Sequence, residues 1–156
     1  MKLDFQTLAF ILCLTFMTQV IALSVQYKVN RVYRGIGWWL LGSSFMALGF
    51  IFMPLLTIRS LEILARIANP LVVLGHIFLY IGIIQFLYMK ENGWRLISFF
   101  ALTILCYYYY MYGNNDISGR TVVISAAVAV ISLMTAYKLF VKKVESVKIK
   151  ALLILR

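Results

Sequence analysis

The chain has 156 residues, of which 63% are hydrophobic and only 13% are charged, and its formal net charge is +10 at pH 7. A soluble domain of this size could not bury so much apolar surface, so the composition excludes an ordinary globular fold and predicts an integral membrane protein. The positive charge does not indicate a nucleic-acid partner, because it lies in the gaps between apolar stretches, where anionic lipid headgroups attract it.

Five apolar stretches of about 17–25 residues, the length a helix needs to cross a bilayer, are separated by short polar gaps. They cover Phe5–Val25, Gly37–Ile58, Pro70–Met89, Leu96–Tyr112 and Thr121–Val141. Backbone groups in lipid must be satisfied within each segment, and the alternation typical of barrel strands is absent. The sequence therefore predicts an all-α bundle of five transmembrane helices over residues 1–141, followed by a basic tail over residues 142–156.

Most of the 15 basic residues crowd into every second gap and into the tail. These are Lys28, Arg31, Arg34, Lys90, Arg95, Lys138, Lys142, Lys143, Lys148, Lys150 and Arg156. The positive-inside rule then predicts a multi-pass protein of the cytoplasmic membrane, with its N-terminus outside and its C-terminus in the cytoplasm. The first stretch is interpreted as a retained helix, because its apolar run exceeds that of a signal peptide and no small-residue cleavage site precedes Gln26.

Small residues recur at seven-residue spacing in three stretches and predict the faces on which helices pack, since small side chains allow close approach. The sets are Gly35, Gly42 and Gly49 in the second helix, Ala68, Gly75 and Gly82 in the third, and Ser118, Ser125 and Ser132 in the fifth. On the first helix, Thr15 and Gln19 share a polar face. Leu, Ile and Phe are expected to face lipid.

Two prolines mark features near the predicted outer side. Pro54 is expected to bend the second helix. The amphipathic run Ser60–Ala68, which precedes Pro70, has two interpretations: it extends the third helix outward, or it lies in the headgroup layer.

Aromatic residues at the predicted ends of the helices indicate interfacial belts, where one part of a ring is apolar and another wet. Trp38, Trp39 and Trp94 mark the cytoplasmic side, and a tyrosine run that includes Tyr107 and Tyr110 marks the outer side. The alternative for the tyrosines is a ligand pocket.

His76 is the ionisable residue that lies deepest within an apolar stretch, and such a group is a functional-site hypothesis by default. Asn69 and Tyr80 share its helix face at spacings of seven and four. One hypothesis is a neutral histidine hydrogen-bonded to a neighbouring helix, through Thr15 or a tyrosine. A second is sensing by protonation or a ligand, with Asn69, Tyr80, Gln19 and Thr15 as further candidates.

The third hypothesis for His76 is a copper(I) site shared with Cys13 and Cys106, which come out at similar depths. The default for the two cysteines is an unpaired, buried thiol, so we expect no metal and no cofactor. Catalysis by this chain alone is not expected, because no phosphate loop, nucleophile triad or His-Glu-x-x-His helix is present. Proton-coupled transport is disfavoured, since all five carboxylates fall in helix ends or gaps.

A heptad seam leaves the fifth helix, formed by Tyr137, Phe140, Val144, Val147, Ala151 and Ile154. Three interpretations stay open. The helix continues into the cytoplasm and transmits movement to an output domain, the tail lies on the inner leaflet, or Ala151–Leu155 begins a further membrane helix.

The stretch from Arg34 through Gly-Ile-Gly-Trp-Trp-Leu-Leu to Gly42, continued by Phe45–Phe50, precedes a third helix with Asn69, Gly75 and Gly82. With Arg120 before the fifth helix, this pattern over residues 1–141 resembles the N-terminal multi-pass membrane input region of bacterial diguanylate cyclases and sensor histidine kinases. The resemblance implies a sensory input module followed by a cytoplasmic signalling domain. With the short loops, the polar bundle faces and the heptad seam, the leading hypothesis is that the fifth helix transmits the signal in a homodimer. No Gly-Gly-Asp-Glu-Phe motif or kinase histidine box is present, so it does not imply cyclase activity here. The alternative is a small transporter or an accessory subunit of a membrane complex.

Overall fold

The structure is a computed structural model that describes residues 5–29, 34–53, 62–114 and 116–154, with the side chains of residues 7–29, 34–53, 66–114 and 116–142. Every regular element in these ranges is helical, which confirms the all-α prediction. The elements are α1 (Phe5–Val29), α2 (Ile36–Phe52), α3 (Glu62–Phe86), α4 (Gly93–Tyr108), a π-helical turn (Tyr109–Gly113) and α5 (Ile117–Ile154).

Four described helical segments are long and apolar enough to cross a membrane, namely Thr7–Val29, Arg66–Phe86, Gly93–Gly113 and Ile117–Lys142. The apolar α2 has 17 residues, at the short end of the range for a span of about 17–25 residues. The remainder of its predicted stretch, with the expected bend at Pro54, lies in residues 54–61, outside the described residues.

The third helix begins at Glu62 and continues through Pro70, so residues 62–68 extend α3, as one of the two interpretations holds. Proline has no N–H, and at position 70 it leaves the carbonyl of Arg66 without its usual helical partner. The hydroxyl of Tyr107 donates to that carbonyl at 3.5 Å. A tyrosine from α4 thus compensates for the proline in α3.

The helices form an open row. Helix α1 packs on α2, α2 on α3, and α3 on α5 and α4, while α4 and α5 also touch; among the described residues α1 reaches none of α3, α4 and α5. Phe16 of α1 stacks on Phe50 of α2 at 5.5 Å. At the other side of the row, Ile77 and Ile84 of α3 pack with Leu96 of α4 and Ile131 of α5.

Helices α2 and α3 meet backbone to backbone along the predicted small-residue faces. A Cβ atom added at Gly42 would lie 2.7 Å from the carbonyl oxygen of Gly75, and one at Gly75 would lie 2.8 Å from that of Gly42. The same antiparallel register pairs Gly49 with Ala68 and Gly35 with Gly82. The six residues named from the sequence spacing therefore form one interface.

The predicted small-residue face of α5 is not closely packed in the described structure. Ser125 and Ser132 are exposed, and the buried residues of this helix are Ala127 and Ile131. The physical reason is the shape of the neighbouring surface. Helices α3 and α4 present branched and aromatic side chains here, and these pack on Ala127 and Ile131 of α5.

The aromatic residues predicted to form interfacial belts differ in how exposed they are. Trp94 is 75% exposed at the start of α4, where a belt residue would lie. Trp38 and Trp39 are half-buried and pack on Phe78 and Phe86 of α3 at 5.4 and 5.5 Å. Tyr107 is only 2% exposed, and its hydroxyl donates to the Arg66 carbonyl near Pro70, so its ring packs between helices. Tyr110 is half-buried against Gly119.

Candidate functional site: the cleft between α3 and α5

A cleft of about 300 Å³ separates α3 from α5. His76 and Tyr80 of α3 face Ser132 and Thr135 of α5 across it, and the remaining wall is Leu, Ile and Ala. Such a mixture of apolar wall and few polar groups is typical of small-molecule sites. The cleft is the place where the sequence-predicted candidates His76 and Tyr80 meet α5.

His76 makes its hydrogen bond within its own helix, because Nδ1 lies 2.9 Å from the carbonyl oxygen of Val72. In a neutral ring this bond makes Nδ1 the donor, and Nε2 is then an acceptor available to the cleft. The expected bond to Thr15 on a neighbouring helix is wrong. The Thr15 hydroxyl donates to Ile11 of α1 at 2.9 Å, and α1 does not adjoin α3.

Below the cleft, three polar side chains join α3, the α3–α4 connection and α5. The hydroxyl of Tyr80, a residue only 1% exposed, donates to Oε2 of Glu91 at 2.9 Å. The ammonium group of Lys138 lies 2.8 Å from the same oxygen, and both partners of this ion pair are largely buried. We call Tyr80, Glu91 and Lys138 the polar lock.

The charge of Glu91 is stabilised by its surroundings. The hydrogen bond from Lys138 holds the pKa of this carboxyl below its ordinary value of 4.5, burial opposes the shift, and the hydrogen bond from Tyr80 adds to the lowering. Glu91 is therefore ionised throughout the physiological pH range. As an ionised acceptor it can hold Tyr80 and Lys138 at once.

Glu91 and Lys138 are functional candidates that the sequence prediction missed. The sequence pattern locates Glu91 in the gap between the third and fourth apolar stretches and predicts no role for it. The signal in the sequence is that Glu91 is the acidic residue of an otherwise basic gap, which favours an ion pair with a cationic side chain. The partner itself lies on α5, far along the chain, and only the packing of α5 on α3 identifies it.

Asn69 does not join the cleft, although it shares a helix with His76. Its side-chain amide donates to the hydroxyl of Tyr107 at 3.3 Å and so braces the start of α3 against α4. Close by, Nη1 of Arg66 donates to the Tyr112 hydroxyl at 3.2 Å. This end of α3 is therefore held by tyrosines and serves packing.

The remaining candidates are not brought together. Thr15 and Gln19 lie exposed on α1, at the far side of the row. Cys13 is buried on α1 and Cys106 is half-buried on α4. No three His, Cys, Asp or Glu side chains in the described part of the chain are grouped to hold a metal ion, so the copper(I) alternative with Cys13, His76 and Cys106 is not assembled.

No protein-family model matches the chain, and neither a curated protein nor a solved structure is significantly similar to it. The resemblance to the input regions of diguanylate cyclases and sensor kinases accordingly stays a prediction.

Proposed function

We propose that this chain is a sensory input module of the cytoplasmic membrane, with five spans and its N-terminus outside, and that α5 carries the signal to a cytoplasmic partner. The observation that carries the proposal is the continuity of α5. It runs for 38 residues, about 57 Å at about 1.5 Å per residue. The sequence becomes basic toward its end, with Lys138, Lys142, Lys143 and Lys148, and the backbone of α5 stays helical to Ile154.

The helix that leaves the apolar layer also forms one wall of the cleft. A ligand between His76 and Thr135 would touch α3 and α5 together, so its binding energy would act directly on their separation. The polar lock joins the same two helices at the basic end. Movement of α5 must therefore strain or break the contact between Glu91 and Lys138.

The first residues of the heptad seam, Tyr137 and Phe140, are exposed on α5. They do not pack on the row of helices and are available to a second copy of α5, as a parallel coiled coil would require. A homodimer and a cytoplasmic signalling domain are the partners that this proposal includes.

Helix transmission is tested by fusing residues 1–156 to a reporter that is active only in one dimeric register. Insertion of one residue after Val141 turns the following helix by about 100° and should change the reporter output several-fold. A seven-residue insertion at the same place is the matched control and should return the output toward the wild-type level. Output that ignores the single insertion would contradict transmission through α5.

The role of the cleft is tested by filling it. Ser132→Leu places a large side chain in the cleft, whereas Ser125→Leu adds the same bulk two helical turns earlier on α5, outside it. We expect the reporter output to shift with Ser132→Leu and to stay unchanged with Ser125→Leu. Equal outputs from the two variants would remove the cleft from the mechanism.

One observation favours the alternative of an accessory subunit. Helix α1 has a single neighbour among the described helices and exposes Leu8, Phe10 and Leu14. A partner protein could pack there. Mild solubilisation followed by mass measurement distinguishes the two functions: a second polypeptide at fixed stoichiometry, together with a reporter insensitive to insertion, would favour the subunit.

A further inference from the structure

We propose that the pocket between the start of α2 and the α3–α4 connection binds the phosphate of an anionic lipid headgroup. The pocket has a volume of about 520 Å³ and is lined by Arg34, Gln85, Tyr88, Met89 and Lys90. It lies apart from the cleft, and the proposal does not depend on the sensory function.

The pocket holds two cations that no described carboxylate neutralises. Glu91 and Asp116 are the acidic residues whose side chains the structure describes. Glu91 is bound to Lys138 and Tyr80, and Asp116 caps Ser118 at the start of α5. Arg34 and Lys90 therefore face the same space with their charge available, and Gln85 adds an amide donor. A phosphate group fits such a set of donors.

Packing fixes the position of Arg34. The next residue, Gly35, has φ +98°, a conformation that side chains rarely adopt. A Cβ atom there would collide with the backbone of Gly82, so the turn lies directly against α3. The guanidinium carbon of Arg34 then lies 5.5 Å from the centre of the Tyr88 ring.

Tyr88 occupies a position that normally favours glycine. Helix α3 ends with bonds from Tyr88 N–H to the Gln85 carbonyl at 3.1 Å and from Met89 N–H to the Ile84 carbonyl at 3.0 Å. This is a Schellman arrangement, in which the left-handed residue is usually glycine. Here it is Tyr88, with φ 56°. An unfavourable backbone at a bulky residue points to a role for its ring.

The depth of the pocket favours a lipid over a soluble anion. The apolar segment of α3 ends at Phe86 and that of α4 begins at Gly93, so the pocket lies at the level of the headgroups. One wall is Met89, which packs against the apolar core and can contact the glycerol and upper acyl chain. Basic pockets between membrane helices are known to take anionic headgroups.

The test uses the full chain in mild detergent, with phosphatidylglycerol or phosphatidylcholine added and the retained lipid counted by native mass spectrometry. Each basic residue near an anionic headgroup strengthens binding by a factor of about five. Removing two, in the double variant Arg34→Gln with Lys90→Gln, should therefore weaken phosphatidylglycerol binding about 30-fold. Phosphatidylcholine binding should change little. Arg95→Gln, an exposed cation on α4 outside the pocket, is the matched control and should bind like the wild type.

Tyr88→Gly separates binding from folding. Glycine suits the left-handed position, so the thermal midpoint should rise, while loss of the ring should weaken phosphatidylglycerol binding several-fold. Unchanged lipid retention in the double variant, or an equal loss in Arg95→Gln, would overturn the proposal. Displacement of the lipid by millimolar inorganic phosphate would show an anion site without lipid selectivity and would also overturn it.

Discussion

The two sides of α3 are packed by opposite means. Toward α2, glycines bring the backbones together, and a single added methyl group at Gly42 or Gly75 would collide with the facing carbonyl. Toward α5, branched side chains meet over a shorter length, a cleft of about 300 Å³ stays open, and one ion pair closes the basic end.

We call the α2–α3 interface the scaffold side and the α3–α5 interface the moving side, because in the proposed mechanism only the second rearranges. A glycine interface has one good register, because close-packed backbones lose contacts as soon as they slide. In the proposed sensory mechanism, the α3–α5 interface takes a second arrangement, in which the ion pair is broken and the cleft is filled. We infer that α2 and α3 stay together while α5 responds.

The largest expected effect breaks the scaffold side. In Gly42→Ala the new Cβ would lie 2.7 Å from the Gly75 carbonyl oxygen and 3.0 Å from the Leu79 backbone nitrogen, and neither backbone atom can move away cheaply. Overpacking of this kind costs about 1–3 kcal/mol. The free energy of unfolding, measured by denaturant titration in mixed micelles, should fall by that amount.

Gly93→Ala is the control for the same chemical change, because a Cβ atom at Gly93 has no neighbour within 4 Å. It should leave the free energy of unfolding unchanged or raise it slightly, since alanine favours the helix. If both variants lose the same stability, the glycine interface is not the reason for it.

The next effect concerns the moving side. Glu91→Gln removes the charge that Lys138 and Tyr80 share. A hydrogen bond to a charged group contributes about 1.5–3 kcal/mol. Hydrogen exchange should therefore accelerate in α5 around Ile131–Lys142 and stay unchanged along α2.

The double variant Glu91→Gln with Lys138→Met is the control for an unpaired cation. Removing both partners costs less than leaving one charge buried, so exchange in α5 should return part of the way to the wild-type rate. Faster exchange in α2 as well would mean that the two sides of α3 are not independent.

The scaffold side could be predicted from the sequence because its signal is local. Gly35, Gly42 and Gly49 repeat at one spacing and so define a face within one helix, and the third helix repeats the device. The small-residue faces of α2 and α3 have the same length and spacing, so few packing registers bring all their members together. Their antiparallel register follows from the short connections between successive helices.

The moving side could not be predicted because its contacts join distant parts of the chain. The same spacing rule predicts an interface at Ser125 and Ser132, yet both are exposed, and α5 packs through Ala127 and Ile131 instead. The pairing of Glu91 with Lys138 requires the position of α5. The bond from Tyr107 to the carbonyl that Pro70 leaves unpaired likewise joins two helices.

A pH titration sharpens the comparison with a smaller effect. The folded-state pKa of Glu91 is lowered, so its contribution to stability is complete above the ordinary value of 4.5 and is lost as the pH falls through the folded pKa. Relative to the intrinsic exchange rate, which itself falls with pH, exchange in α5 should accelerate only below about pH 4.5. The difference in α5 exchange between the wild type and Glu91→Gln separates the effect of this residue from that of other carboxylates. A difference that stays constant from pH 7 to pH 3 would contradict the assignment.

The smallest expected change in the free energy of unfolding tests whether hydrogen bonds contribute to the scaffold side. Ser43 of α2 is fully buried, and its hydroxyl has no hydrogen-bond partner among the described residues. A buried hydroxyl without a partner is unfavourable, so Ser43→Ala should leave the free energy of unfolding unchanged or raise it by up to about 1 kcal/mol. The adjacent Ser44 donates to Leu40 within its own helix at 2.8 Å, a bond that does not stabilise a helix, so Ser44→Ala should stay within a few tenths of a kcal/mol of the wild type. A loss of more than about 1 kcal/mol in Ser43→Ala would mean that this hydroxyl stabilises the interface through a bond, and that close backbone packing alone does not explain how α2 holds α3.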